Sequence, residues 1–231
     1  MIKAILIDID DTLLSFSGYV KQTMKEGFSE FGFAEYDEKM YPVFETINNG
    51  LWRQIEQGTL TFEGLQKIRW NLIFKELNID FDGLTFEKYF REKLFDCAIL
   101  EPGAAEFLEY LSKKYILCAA SNGPFEQQMN RLRVGRLERY FDHFFISEKV
   151  GAQKPSKAFF DFCMKELRAT EQPDILPEEV MVIGDSITSD IAGGKQYGMK
   201  TCLYAGNRAV LTNTGEADHV IKHLSEIKQI L

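Results

Sequence analysis

Apolar positions follow two different rhythms along this chain, and the change of rhythm divides it. Ala4 to Ile7 is an unbroken apolar run, rich in isoleucine and bounded by polar residues. Such a run predicts a strand buried on both faces, here reaching Ile9. From about Ser15 to Cys97 the strand signal disappears and helical spacing replaces it. Val20, Met24, Phe28 and Phe31 share one helical face that stops near Gly32, and Val43, Phe44, Ile47, Leu51 and Ile55 share a second that stops at Gly58. Thr61 is placed to cap a third helix with Leu65, Ile68 and Leu72 on its stripe, and Thr85 to cap a fourth with Phe86, Phe90 and Leu94. Short amphipathic helices of this kind bury their stripes against one another as a bundle.

Beyond Pro102 helical and extended patterns alternate. Helices are predicted over 104–113, 125–137, 157–167 and 188–197. Strands are predicted over 115–120, 143–147, 180–184, 201–204 and 219–221, with Ser225 capping a last helix to Leu231. Alternation of this kind builds right-handed crossover units and a parallel sheet covered on both faces. The predicted architecture is therefore α/β, a Rossmann-like core formed by residues 1–14 and 98–231, with a helical domain inserted over 15–97. Gly193 and Gly194 fall inside a predicted helix, where glycine is unfavourable, so that helix should pack closely on the sheet.

Composition narrows the partners. The 231 residues carry a net charge of −8, are 45% apolar and show no lysine or arginine cluster. A nucleic-acid polymer or an anionic membrane surface is disfavoured, and an anionic ligand would have to be held by a few placed cations and backbone N–H groups. No stretch approaches membrane-spanning length, and Asp8 interrupts the first apolar run too early for a signal peptide. Cys97, Cys118, Cys163 and Cys202 form no Cys-x-x-Cys pair, so buried free thiols and a reducing, cytoplasmic setting are expected.

Candidate chemistry lies where the strands end. Asp8 and Asp10 follow the first strand, Ser121 and Asn122 the second, Lys154 the third after a short loop, and Asp185 the fourth. Side chains alternate along a strand, so Asp8 and Asp10 face the same way if the extended geometry persists. Ligands of open parallel sheets sit beyond the carboxyl ends of the strands, so four separate segments should converge on one crevice. Asp8, Asp10 and Asp185 are hard oxygen donors suited to Mg²⁺ rather than Zn²⁺. Ser121, nearby backbone N–H groups and Lys154 can hold phosphate oxygens. That set would permit in-line attack of Asp8 on phosphorus, with Asp10 protonating the departing oxygen and later deprotonating water.

Four segments, Asp8-Ile-Asp10-Asp11-Thr12, Ser121-Asn122-Gly123, Lys154-Pro155 and Gly184-Asp185-Ser186-Ile-Thr-Ser-Asp190, resemble in order and spacing the four motifs of the haloacid dehalogenase-like (HAD) hydrolases. The insertion resembles that superfamily's type I helical cap. The resemblance implies a magnesium-dependent phosphatase that works through an aspartyl phosphate. Asp8 would be the nucleophile, Asp10 the general acid/base, and Ser121 and Lys154 the phosphate holders. Thr12, Asn122 and Gly123 would lie on the substrate side. Asp8, Asp185 and Asp10, the last through its backbone carbonyl, would hold Mg²⁺, with Asp190 supporting the metal or Lys154. Asn122-Gly123, the segment 184–194 and the length of the insertion resemble the pyrimidine 5′-nucleotidase branch, which implies a nucleoside monophosphate substrate; a monomer or small homo-oligomer is expected.

Rival readings share parts of this site. A phosphomutase or a sugar-phosphate phosphatase would use the same chemistry. A phospho-acceptor signalling domain also places acids, a hydroxyl and a lysine at strand ends, but an insertion of about 80 residues after its first strand would be foreign to it. Asp190 could serve a helix dipole instead. Phe16, Tyr19, Trp52, Arg53 and Trp70 are the candidates for substrate choice within the inserted helices.

Overall fold

A computed structural model describes residues 1–206, 214 and 216–231. Chain contacts divide it into two units, Met1–Ser15 with Ala98–Leu231, and Phe16–Cys97.

The first unit is a six-stranded parallel sheet. Its strands are β1 (Ala4–Ile7), β2 (Ile116–Ser121), β3 (His143–Ile146), β4 (Val180–Gly184), β5 (Lys200–Tyr204) and β6 (His219–Ile221), in the order β3-β2-β1-β4-β5-β6. Strand β1 sits at the centre, pairing Ala4 with both Ile116 and Val180. All four of its residues are fully buried. Alternation sorts them: Ile5 and Ile7 join Leu108, Leu117, Ala119 and Ile183 on one face, while Ala4 and Leu6 join Phe159, Phe160 and Val182 on the other. The order reverses direction at β1, which makes its carboxyl end the switch point where ligands bind in such sheets.

The extended geometry stops at Ile7, two residues before the expected end. Asp8 still donates its N–H to the Ile183 carbonyl at 2.9 Å, but the Ile9 carbonyl then accepts from both Leu13 and Leu14, and Asp11 takes a positive φ of 53°. This loop brings Leu14 back beside Asp10 and against Leu100. Ser15 donates to the Ile99 carbonyl at 2.7 Å and Glu101 to the Leu13 carbonyl at 2.9 Å, so the chain segments flanking the insertion lie stitched side by side.

The helix after β4 begins as a π turn, Ile187–Ile191, capped by Ser186 rather than starting at Thr188, and continues as an α-helix over Ala192–Tyr197. A Cβ on Gly193 would meet the Phe160 ring at 2.6 Å, and one on Gly194 would meet Val182 at 2.9 Å. Close packing on the sheet is thus the reason for both glycines. The segment before Leu231 is a 3₁₀ turn, Leu224–Gln229, closed by Glu226 on the N–H of His223, and Ser225 caps no helix there. Cys118, Cys163 and Cys202 are buried thiols, Cys97 is half-buried, and none of the four forms a disulfide. No described helix is long and apolar enough to cross a membrane.

The second unit consists of α1 (Phe16–Glu30), α2 (Tyr41–Glu56), α3 (Phe62–Glu76) and α4 (Gly83–Phe95). Thr61 caps α3 as expected, accepting from Gly64 N–H at 3.0 Å. Asp82, not Thr85, caps α4, and the Thr85 hydroxyl donates to it at 2.7 Å. The buried face of α3 also differs from the expected one. Leu65, Arg69, Trp70, Ile73 and Phe74 are buried, whereas Ile68 and Leu72 are 37% and 41% exposed. The turn is rotated because Arg69 pairs with Glu87 of α4, donating from Nη2 at 2.7 Å and from Nε at 3.1 Å, and Nη1 reaches Asn48 of α2 at 3.1 Å. Aromatic rings enclose the pair: the Arg69 guanidinium lies 4.7 Å from the centroid of Phe90, and Trp70 packs on Phe86 at 4.4 Å.

Candidate active site

Four chain segments meet beyond the carboxyl end of β1. The third of them carries Lys154, which is 2% exposed. Its ammonium donates to Asp8 Oδ1 at 2.6 Å, to Asp190 Oδ1 at 2.7 Å and to the Ala120 carbonyl at 2.6 Å. Those bonds use all three of its donors. Its backbone is held too: Lys154 N–H donates to Asn122 Oδ1, and Asn122 Nδ2 donates back to the Lys154 carbonyl, each at 2.8 Å. Asn122 is therefore a clamp on the lysine loop. Asp190 is 1% exposed and also accepts from the Ser186 N–H at 3.1 Å, an arrangement that needs the space beside Gly184, where a Cβ would collide with its carboxylate.

Oxygens of Asp8, Asp185 and Asp190 lie within 4.8 Å of one another. Burial pushes the Asp8 carboxyl well above its ordinary pKa, and the charges of Asp190 and Asp185 add to the rise that Lys154 opposes. Burial also works against the charge of Lys154, but Asp190 and Asp8 outweigh it and keep the amine protonated. Lys154 bonds two of these three clustered carboxylates, and the donors are all oxygen. A hard, all-oxygen set is what a magnesium ion fits. The second oxygen of Asp8, Oδ2, accepts no hydrogen bond among the described residues, so Asp8 keeps a free lone pair at the crevice.

Asp10 is held apart from this cluster. Its carboxylate accepts from Arg131 Nη1 at 2.5 Å through Oδ1 and from Gln128 Nε2 at 2.7 Å through Oδ2. The two carboxylates of the first motif are therefore held by different side chains, Asp8 by Lys154 and Asp10 by Arg131 and Gln128, because the chain leaves the extended geometry between them. Ser121 is 2% exposed, and its Oγ accepts from the Gly123 N–H at 3.1 Å and from Gln128 Nε2 at 2.7 Å. Thr12 is fully buried, and its hydroxyl has no hydrogen-bond partner among the described residues.

Gln128 and Arg131 are 0% and 1% exposed and were not among the residues singled out from sequence. They lie on the helix Phe125–Val134, whose remaining polar residues look like a solvated face. A signal existed: Gln128 falls on the same stripe as Phe125 and Leu132, with Arg131 one turn on, so two polar residues occupy a face that otherwise packs on the core. Of the residues proposed for substrate choice, Trp70 and Tyr19 are buried at 1% and 2%, where Trp70 packs on Phe44, Phe74 and Phe86. Both serve the core of the helical unit. Phe16 and Trp52 are half-buried and Arg53 is exposed.

Residues 2–198 match the family model described as haloacid dehalogenase-like hydrolase. This chain belongs to that family. It is 32% identical over 231 residues to the HAD-hydrolase YfnB of Bacillus subtilis, covering 99% of this chain and 95% of that protein. The crystal structure of YfnB bound to magnesium superposes with a TM-score of 0.87 at 30% identity, covering 100% of this chain and 98% of that one. Identity is 29% with the pyrimidine 5′-nucleotidase PynA of Streptococcus pneumoniae, over 87% of this chain and 83% of PynA. It is 27% with the pyrimidine 5′-nucleotidase YjjG of Escherichia coli, over 98% of this chain and 96% of YjjG. The family and these relatives make the protein an enzyme of the phosphatase class.

Proposed function

We propose that this enzyme hydrolyses nucleoside 5′-monophosphates through a phosphorylated Asp8. The observation that carries the reading is Asp8 itself: buried, fixed by Lys154 through one oxygen and free at the other. Nucleotide preference is supported by the likeness to PynA and YjjG along most of their length.

Asp8, Asp185 and the main-chain carbonyl of Asp10 would hold Mg²⁺, whose chemistry is to neutralise charge on the phosphate oxygens and the attacking carboxylate. The Ser121 hydroxyl binds a remaining phosphate oxygen, and Lys154 does so on giving up one of its present acceptors. Asp8 Oδ2 attacks phosphorus, the bond to the ester oxygen breaks, and the departing electron pair takes a proton from Asp10. Asp10, now a carboxylate, accepts a proton from water as the water oxygen attacks phosphorus. The bond to Asp8 breaks, releasing inorganic phosphate and regenerating the carboxylate.

The test is phosphate release from a panel of nucleoside monophosphates and sugar phosphates with Mg²⁺. The reading expects nucleoside 5′-monophosphates to give the highest kcat/KM. A sugar phosphate turned over at least tenfold better would overturn the nucleotide assignment and leave the phosphatase chemistry in place.

A further inference from the structure

Gln128 and Arg131 are buried polar groups that the reaction above does not use, and their hydrogen bonds form one directed chain. Arg131 is donor-only. Its Nη1 donates to Gln128 Oε1 at 2.9 Å as well as to Asp10 Oδ1 at 2.5 Å. That bond fixes which end of the Gln128 amide is oxygen. The amide nitrogen is thereby turned toward Asp10 Oδ2 and Ser121 Oγ, each at 2.7 Å, spending both of its hydrogens. Ser121 Oγ already accepts from the Gly123 N–H, so its two lone pairs are filled. Its own hydrogen is donated to no described residue and is left for an acceptor in the crevice. Gly123 is required here for space, since a Cβ would lie 2.7 Å from Gln128 Nε2.

We infer that Gln128 and Arg131 are positioning residues: Arg131 sets the Gln128 amide, and the two together seat the Asp10 carboxylate and aim the Ser121 proton at a phosphate oxygen. A buried amide and a buried guanidinium at hydrogen-bond distance from an acid/base and a phosphate-holding hydroxyl link the two halves of the reaction. Neither would touch substrate. The inference rests on the reading of Asp10 as acid/base and Ser121 as phosphate holder.

Three variants test it, each checked for folding by circular dichroism: Arg131→Met, Arg131→Lys and Gln128→Glu. Two substrates are compared, a nucleoside 5′-monophosphate, whose alkoxide must be protonated as it leaves, and p-nitrophenyl phosphate, whose phenolate leaves unaided. Misplacing Asp10 in Arg131→Met should lower kcat on the nucleotide about a hundredfold and spare the phosphorylation of Asp8 by p-nitrophenyl phosphate. Dephosphorylation of Asp8 by water still needs the base, so that variant should release one equivalent of nitrophenol per enzyme in a burst and then turn over slowly. Arg131→Lys, which restores a donor to Gln128 Oε1, should recover most of the loss. Gln128→Glu is nearly isosteric but presents an acceptor to Ser121, which would turn its proton inward, so KM should rise about tenfold or more on both substrates. If Arg131→Met does not fold, Gln128→Glu decides.

Equal losses on both substrates without a burst, or an unchanged KM in Gln128→Glu, would overturn the positioning role while leaving the phosphatase reading intact. Failure of the wild type to release phosphate from either substrate would overturn both.

Discussion

In the helical unit Arg69 meets Glu87 among aromatic rings, and in the α/β unit Lys154 meets Asp8 and Asp190; both cations are almost wholly buried. The first pair is closed. Arg69 donates four hydrogen bonds, three to the two oxygens of Glu87 and one to Asn48, and one charge meets one charge. The second is open. Lys154 is shared between Asp8 and Asp190, Asp185 lies close to both, and Asp8 Oδ2 accepts no hydrogen bond among the described residues. A charge-matched buried pair serves to select one packing, whereas a crowded acid cluster at a strand end marks a candidate functional site.

The comparison is broken most directly at Asp8. Asp8→Asn should lower phosphate release at least a thousandfold. It should not lower Tm, because the charged form of Asp8 is held against its own burial and two neighbouring acids. A variant that keeps the parent's rate would remove Asp8 as nucleophile. Deleting either cation leaves buried acid uncompensated, so Lys154→Met and Arg69→Met should each cost about 3–5 kcal/mol in denaturant unfolding. The two then diverge: turnover per folded molecule should vanish for Lys154→Met and stay within a few-fold for Arg69→Met. Joint replacement of Arg69 and Glu87 by Met should restore much of the lost stability, since a closed pair can be exchanged for apolar packing.

Metal removal sharpens the contrast further. Chelation should abolish phosphate release. Mg²⁺ at about a hundred times its Kd should stabilise the folded chain by about 2.7 kcal/mol, an increment that Asp185→Asn should erase and Arg69→Met should keep. The smallest effect is in pH. Burial lifts Glu87 above its ordinary value even against Arg69. A raised pKa in the folded state means that the contribution of Glu87 is full below its unfolded value and fades as pH climbs through the folded one. The Tm difference between wild type and Glu87→Gln should therefore shrink from about pH 4 towards neutrality.

The two units also differed in what could be read from residues alone. Strand ends in the α/β unit advertise themselves: Asp8 and Asp185 stood out as carboxylates directly after apolar runs, and Lys154 as a lysine on the constrained loop after the third strand. Asn122 was visible by position but not by job, as a clamp on the Lys154 backbone. The bonds of Asp10 were not legible, since they depend on the chain turning at Ile9 and on two polar residues reaching in from the helix Phe125–Val134. In the helical unit periodicity located the helices, but the stripe on α3 was rotated. A buried arginine reads as solvent-facing until its partner is known, and Glu87 is 18 residues away along the chain.

The paired segments at Leu13–Ser15 and Ile99–Glu101 have one more consequence. To the sheet, the whole helical insertion is a single loop whose two feet are already fastened together. Doubling the length of such a loop costs only about 0.6 kcal/mol of closure entropy. The inserted helices can therefore grow, shrink or be exchanged with little penalty to the sheet that carries the acid cluster.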